Sequence, residues 1–341
     1  MSIAHLDEDL IGSPVNLDPT IPAPMINVAE HGFEGRFEDW ADDAQYFEYS
    51  KAANPIGSGH TPKVPIVQFG PELYRDEPTG VVPLDLSTDL GIHTGAATSP
   101  ALLANFVRIR PGEQINTSAN ATSQLYYVMY GRGFSAVNDV MVQWEKGDFL
   151  TLPAGSRAVF HADADAALYW VHDEPLLRYL GAEATTPRFR ATKYRRADAV
   201  AKLHDIASRP GANDKSRVSV LLANAEEEQT LTITHVLWAM FGLLPPDQEQ
   251  RPHRHQSVAL DLILDAQPGC YTLLGTHLDD RGDIADPTRV DWEAGGAFVT
   301  PPGMWHAHFN ESGAPAHLIP IQDAGMHTFL RSLDIRFTDR R

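Results

Sequence analysis

Histidines at strand spacing are the residues of this chain best placed to do chemistry. His253 and His255 stand two residues apart in the run Arg251-Pro252-His253-Arg254-His255-Gln256. Side chains of an extended segment alternate faces, so the two imidazoles point the same way from Cα atoms roughly 6.6 Å apart and can converge on one ion. With 15 histidines in 341 residues, about 0.7 such pairs arise by chance, so this pair alone decides little. A second segment changes the odds. Gly295, Pro301, Gly303, His306 and Asn310 follow the spacing Gly-x5-Pro-x-Gly-x2-His-x3-Asn. Physically this is a Pro-Pro-Gly turn launching a strand, with His306 at the strand's start and His308 two residues on, facing the same way. His253, His255 and His306 together are candidate ligands for a divalent metal.

Elements that must position these residues are short and β-like. Leu102–Arg110, Gln124–Tyr130, Phe134–Val137, Val140–Trp144, Phe149–Leu152 and Ala167–Val171 are strand-type runs punctuated by Pro111-Gly112, Gly131, Gly147 and Gly155. Many short strands at regular spacing predict an all-β sandwich or barrel. The best helical stretch is Lys193–Ser208, with Ala197, Val200, Ala201, Leu203 and Ile206 apolar and Pro210-Gly211 as its stop. Beyond it the pattern repeats. Phe106–Gly112 matches Met240–Pro246, and Trp144–Gly155 parallels Trp292–Gly303. Two copies of one barrel joined by a short helical linker is the simplest account. The expected divisions are 1–75 as an N-terminal extension with one helix at about Phe37–Lys51, 76–185 as the first barrel, 186–212 as the linker and 213–341 as the second barrel. The first copy lacks the ligands. Thr117-Ser118-Ala119-Asn120 stands where the two histidines belong and Ala158 where the third does, with His161 three residues late. That barrel is expected to be structural.

The spacing from Gly295 to Asn310 fills the second sequence motif of the cupin superfamily, so the chain resembles a bicupin: two jelly-roll β-barrels. The usual first cupin motif carries a Glu four or five residues after its second His; here those positions are Ala259 and Leu260, leaving three imidazoles and no carboxylate ligand unless Asp261 bends in. Such a face leaves the ion its full charge with open positions, which suits non-haem Fe(II), while Mn, Ni or Zn fit the same ligands. His253–Leu260 with Thr300–His308, and Leu237-Trp238-Ala239 upstream, resemble the gentisate and salicylate 1,2-dioxygenases, most clearly over about Val218–Gly313. The resemblance implies an Fe(II) enzyme that cleaves an aromatic ring with O2. It makes His253, His255 and His306 the metal ligands, has His308 contact or protonate the substrate, and has Trp238 line the ring pocket. It also implies association into a homo-oligomer. The chain departs from that family in three ways. The metal site lies in the C-terminal barrel, where those enzymes carry it in the N-terminal one. Asp261 replaces an Arg that helps hold the substrate carboxylate, and Gly242 replaces a frequent Gln. A pocket-facing Asp261 would repel a carboxylate and favour an amine or hydroxyl group; Arg217 is the candidate replacement cation.

Bulk properties narrow the rest. A net charge of −18 makes nucleic acid and anionic membrane surfaces poor partners. The first residues lack the basic start and apolar run of a signal peptide, and no apolar stretch reaches the length of a membrane span. Cys270 is the single cysteine, so no internal disulfide forms, which fits the cytoplasm. The expectation is therefore an Fe(II)-dependent dioxygenase acting on a small aromatic or enol-type substrate. The alternatives are a Mn, Ni or Zn cupin isomerase, hydrolase or lyase that uses no O2, and a non-catalytic binder.

Overall fold

A computed structural model of the chain describes residues 40–211 and 218–338. The described residues divide into two units, 40–53 and those from 54 onward, each taken by itself. Residues 37–39 of the expected helix lie outside the described residues, and Tyr49–Ala52 in the first unit is its helical part.

The second unit is built from four antiparallel sheets, and their order exposes the repeat. One six-stranded sheet runs Thr192–Tyr194, Phe149–Pro153, Ser123–Tyr130, Ala166–His172, Leu103–Ile109, Gly80–Pro83. The other runs Gln68–Phe69, Ala297–Thr300, Ala259–Asp265, Ala316–Gln322, Trp238–Leu244, Val218–Leu222. Strand for strand these follow the same path, as the sequence repeat predicts. Their facing sides share one apolar core, in which Tyr127, Phe149 and Tyr169 of the first sheet join Leu260, Val299 and Ile321 of the second. Both faces of these strands are covered, which is why they read as nearly continuous apolar runs.

Each of these sheets closes on its other side against a further sheet to make a barrel. Gln114–Thr117, Ala158–Ala162, Arg132–Val137 and Val140–Glu145 close the first. Thr288–Asp291, Cys270–Gly275, Trp305–Asn310, His253–Arg254 and Arg336–Phe337 close the second, with Gln248–Glu249 also paired to Trp305–Asn310. The first barrel is filled by Tyr126, Trp144, Phe160 and Trp170, and the second by Ile263, Leu274, Trp292 and Phe298.

Two local outcomes differ from the sequence pattern. The expected helix Lys193–Ser208 begins at Arg196, because Thr192–Tyr194 pairs with Phe149–Thr151 as an edge strand and tertiary pairing overrides local propensity. Gln68–Phe69, within the stretch expected to be an extension, pairs with Ala297–Phe298 and so completes the sheet of the second barrel. Tyr74 and Arg75 donate to the carbonyls of Gly295 and Ala294 and hold that segment in place. Among the described residues no helix is long and apolar enough to cross a membrane.

The core shared by the two large sheets ties the barrels together energetically. Leu260 is 1% exposed within it. Leu260→Ala is expected to cost about 2–5 kcal/mol, the range for a buried leucine that leaves a cavity. Chemical denaturation should show this as one transition shifted as a whole; a loss confined to one of two separate transitions would contradict a shared core.

Candidate metal centre

The sheet that closes the second barrel brings the histidines together by register. His253 is paired directly with His306 across adjacent strands. His306 and His308 alternate onto the barrel interior, the face that also carries Cys270 and Leu274 of the neighbouring strand. Beyond its two-residue strand, His255 is fixed by the turn that precedes His306, since the Gly303 N–H donates to the His255 carbonyl at 2.7 Å. That turn needs a glycine at 303, where φ is +72°. Both sequence segments thus meet through one cross-strand pair and one backbone hydrogen bond.

Ligand nitrogens of His253, His255 and His306 all lie within 4.8 Å of one another, and the three residues are buried. The hydrogen bonds at the other end of each ring decide their chemistry. Nδ1 of His253 lies 3.1 Å from the Arg251 carbonyl, Nδ1 of His255 2.9 Å from the Ser257 carbonyl, and Nδ1 of His306 3.0 Å from the Met304 carbonyl. A carbonyl can only accept, so each Nδ1 carries a ring proton and Nε2 is the atom each ring can offer as a ligand. Three imidazoles held in this way are a donor set that a divalent transition metal takes. Among the described residues no carboxylate joins this group.

His308 has a different environment. Its Nδ1 lies 2.7 Å from the Thr272 hydroxyl, which itself accepts from the indole N–H of Trp292 at 2.8 Å. The hydroxyl keeps a second lone pair and its own proton, so it can either donate to Nδ1 or accept from it. His308 is thus held by a side-chain hydroxyl, where the three clustered imidazoles are held by backbone carbonyls. Its ring centroid is 5.8 Å from that of His306 and 6.1 Å from that of His253.

The other sequence candidates fall as follows. Asp261 is buried and takes the Thr300 hydroxyl at 2.7 Å. Its strand turns Leu260 and Leu262 to the core between the barrels and Ile263 to the barrel interior, so alternation puts Asp261 on the interior face. Trp238 opens its strand opposite Gln322, on the face shared with Leu244 in the barrel interior. Arg217 lies outside the described residues. A cavity of about 660 Å³ opens between the barrels beside Tyr127, Phe149, Leu203 and Phe241, and none of the site histidines lines it.

Several supporting residues carry no signal in the sequence. Ser257 bridges His255 Nδ1, at 3.0 Å, and the side-chain oxygen of Gln322, at 2.8 Å. Thr272 and Trp292 lie far from His308 along the chain and reach it only through the sheet. Asp323, after Gln322, accepts the Val258 N–H at 2.9 Å, and burial pushes its carboxyl up to about 7. His327 lies 4.0 Å from it, and burial lowers that imidazole, so burial disfavours the charged form of both groups.

The first barrel gives the opposite picture at equivalent positions. Thr117 pairs with Ala158 just as His253 pairs with His306. The space is filled by Tyr126, whose hydroxyl donates within a group formed with Thr117 and Gln124, each 3.0 Å away, and whose ring stacks on Trp170. His161 pairs with Gln114 on the other face of its strand from Phe160 and the barrel core.

No family model matches the chain. It is 30% identical over 95 residues, 27% of the chain and 46% of the relative, to a 5-nitrosalicylic acid 1,2-dioxygenase of Bradyrhizobium sp.. It is 32% identical over 85 residues, 25% of the chain and 23% of the relative, to a 5-aminosalicylate 1,2-dioxygenase of Comamonas sp.. The chain thus spans less than half the length of these curated relatives. Among solved structures, salicylate 1,2-dioxygenase from Pseudoaminobacter salicylatoxidans with gentisate superposes with a TM-score of 0.65 at 13% identity, covering 86% of this chain and 90% of that one. The fold is accordingly that of a two-barrel cupin, with the same architecture as this dioxygenase.

The site yields two tests. His306→Ala is expected to lose the metal, whereas His308→Ala should keep it at the wild-type ratio; elemental analysis after dialysis reads both, and equal loss from the two would contradict a three-histidine site. The raised carboxyl of Asp323 favours its neutral form in the fold, so its stabilising contribution is full below about pH 4 and is lost as pH rises through about 7. Wild-type Tm minus Asp323→Asn Tm should therefore fall between pH 5 and pH 8; a difference independent of pH would show that Asp323 does not titrate in that range.

Proposed function

We propose that this protein is a non-haem Fe(II)-dependent dioxygenase acting on a small aromatic or enol-type substrate, by ring cleavage of the gentisate and salicylate dioxygenase kind. The observation that carries this reading is the set of three imidazoles whose Nδ1 protons are all committed to backbone carbonyls, beside a fourth whose Nδ1 lies against the Thr272 hydroxyl. His253, His255 and His306 would hold the ion on one face and leave the opposite positions open. A ferrous ion there supplies electron transfer between a chelating substrate and O2.

The chain's own residues supply the rest. His308 stands beside the ligand cluster and delivers a proton to an oxygen of the substrate, with Thr272 and Trp292 fixing its ring. Trp238 lines the ring pocket from the facing sheet. Asp261, with the Thr300 hydroxyl on one oxygen, places negative charge where the resembling enzymes place an Arg. A substrate carboxylate directed at that position is repelled, and an amine or hydroxyl is favoured. The similarity to relatives named for salicylates supports the reaction class, and the Asp261 difference is read as separating this chain in substrate. The protein is read as a homo-oligomer working in the cytoplasm without nucleic acid or membrane, and Arg217 as a further cation for the substrate.

A second reading draws on the absence of a carboxylate ligand among the described residues. In it Mn, Ni or Zn acts as a Lewis acid for an isomerase, hydrolase or lyase reaction. Oxygen uptake separates the two. Fe(II)-reconstituted protein is expected to consume about one O2 per molecule of an ortho-hydroxylated aromatic, with no turnover under argon. Undiminished turnover under argon would sink the dioxygenase reading and leave the Lewis-acid one.

A further inference from the structure

Gln250 lies beside this site through a break in strand register. Gln248 pairs with Asn310 and Glu249 with Phe309, and the Gln250 N–H donates to the His308 carbonyl at 2.8 Å. Gln250 is thus the cross-strand neighbour of His308, on the side opposite Thr272. Burial agrees with that facing: Glu249 is exposed, while Gln250 is 4% exposed. Directly opposed side chains in a sheet have Cβ atoms about 4.5–5.5 Å apart, so the side chains of Gln250 and His308 leave the backbone as cross-strand neighbours. One row along the same strand lies His306 with its partner His253.

Its amide is chemically conspicuous. Oε1 of Gln250 is buried and has no hydrogen-bond partner among the described residues. A buried carbonyl oxygen left unmade costs about 1–3 kcal/mol, a cost that a ligand donor removes. The second barrel's interior also holds the buried carboxylate of Asp261, and among the described residues from 218 onward no lysine or arginine is buried. The oxygen acceptors Asp261 and Gln250 therefore face no buried cation from this barrel.

We infer that Gln250 is a specificity-determining residue: its Oε1 accepts a hydrogen bond from an uncharged N–H or O–H that the substrate carries beside its metal-chelating atoms. The substrate class that fits is an ortho-hydroxylated aromatic whose neighbouring group is a neutral donor, such as a carboxamide, rather than a carboxylate. This rests on the aromatic-substrate reading above and adds which group the pocket selects.

Salicylamide and methyl salicylate test it, because both offer a phenol and a carbonyl oxygen and differ in an NH2 against an OCH3. Titration calorimetry on Zn(II)-loaded protein, with metal content measured in each sample, reads binding without turnover. Wild type is expected to prefer salicylamide. Gln250→Leu should weaken salicylamide binding about 5- to 50-fold, the range for a buried hydrogen bond left unmade, and leave methyl salicylate nearly unchanged. Gln250→Glu, which keeps an acceptor oxygen at that place, should retain the preference and carries the test if the Leu variant does not fold. A wild type without preference, or a Gln250→Leu variant that keeps it, overturns the role of Gln250 alone. Metal-loaded wild type that binds neither compound overturns the aromatic-substrate reading and this inference with it.

Discussion

A single cross-strand pair, His253 opposite His306, together with the Gly303 N–H on the His255 carbonyl, holds the interior of the second barrel in register. A slip of one residue in a sheet turns every side chain to the other face, so this contact decides whether imidazoles or their neighbours face the barrel. The strand carrying His253 is only two residues long and could not keep its register by its own ladder. It is clamped from both sides, by His306 and by Phe337, whose ring lies 5.4 Å from that of His253. Ring orientation then follows from backbone geometry, because carbonyls two residues away capture each Nδ1 proton. Rigidity of this kind is what a metal site needs, since the ligands are aimed before any ion arrives.

The first barrel shows what the same backbone does without ligands. Thr117 and Ala158 occupy the matching pair, and removing two imidazoles from a barrel interior would leave a void. Aromatic volume fills it: Tyr126 packs on Phe160 and Trp170, with ring centroids 4.7 and 5.5 Å away. Close packing is therefore maintained in both copies by different means. The copies also share a device at the end of the large sheet. Asp173 accepts the Ser123 N–H and Asp323 the Val258 N–H, each from a buried carboxyl that burial pushes upward. Both acids anchor the start of a central strand, and in the second barrel that strand leads from the His255 segment to Asp261.

Polarity within the second barrel is unevenly distributed. Three clustered imidazoles stand beside His308, and Asp261 and Gln250 add oxygen acceptors. A substrate entering the same space meets acceptors first, and this sets the present chain apart in chemistry from proteins that grip an acid with an arginine.

Much of the fold was legible in the sequence, because strand runs, turn glycines and the duplicated Trp144–Gly155 and Trp292–Gly303 segments are local patterns, and period-two alternation says which residues share a face. The histidine set was legible for the same reason: each half is local, and spacing alone gives each half its facing. Gly303 could be read as a turn residue from Pro301-Pro302-Gly303 without coordinates. The strand Thr192–Tyr194 was not, since a neighbouring sheet edge outweighs helical propensity there. Gln250 was hidden by the register change at Arg251-Pro252: counting back by twos from His253 puts it on the wrong face, and the pairing with His308 restores it. Thr272 and Trp292 are set on His308 by strand neighbours distant in the chain, and Asp261 is turned inward by a core that lies between two barrels. The sequence by itself determined the strands, the repeat and which histidines can share a face. Only the tertiary structure decided what stands beside each ring, because that depends on pairings between segments that no spacing along the chain encodes.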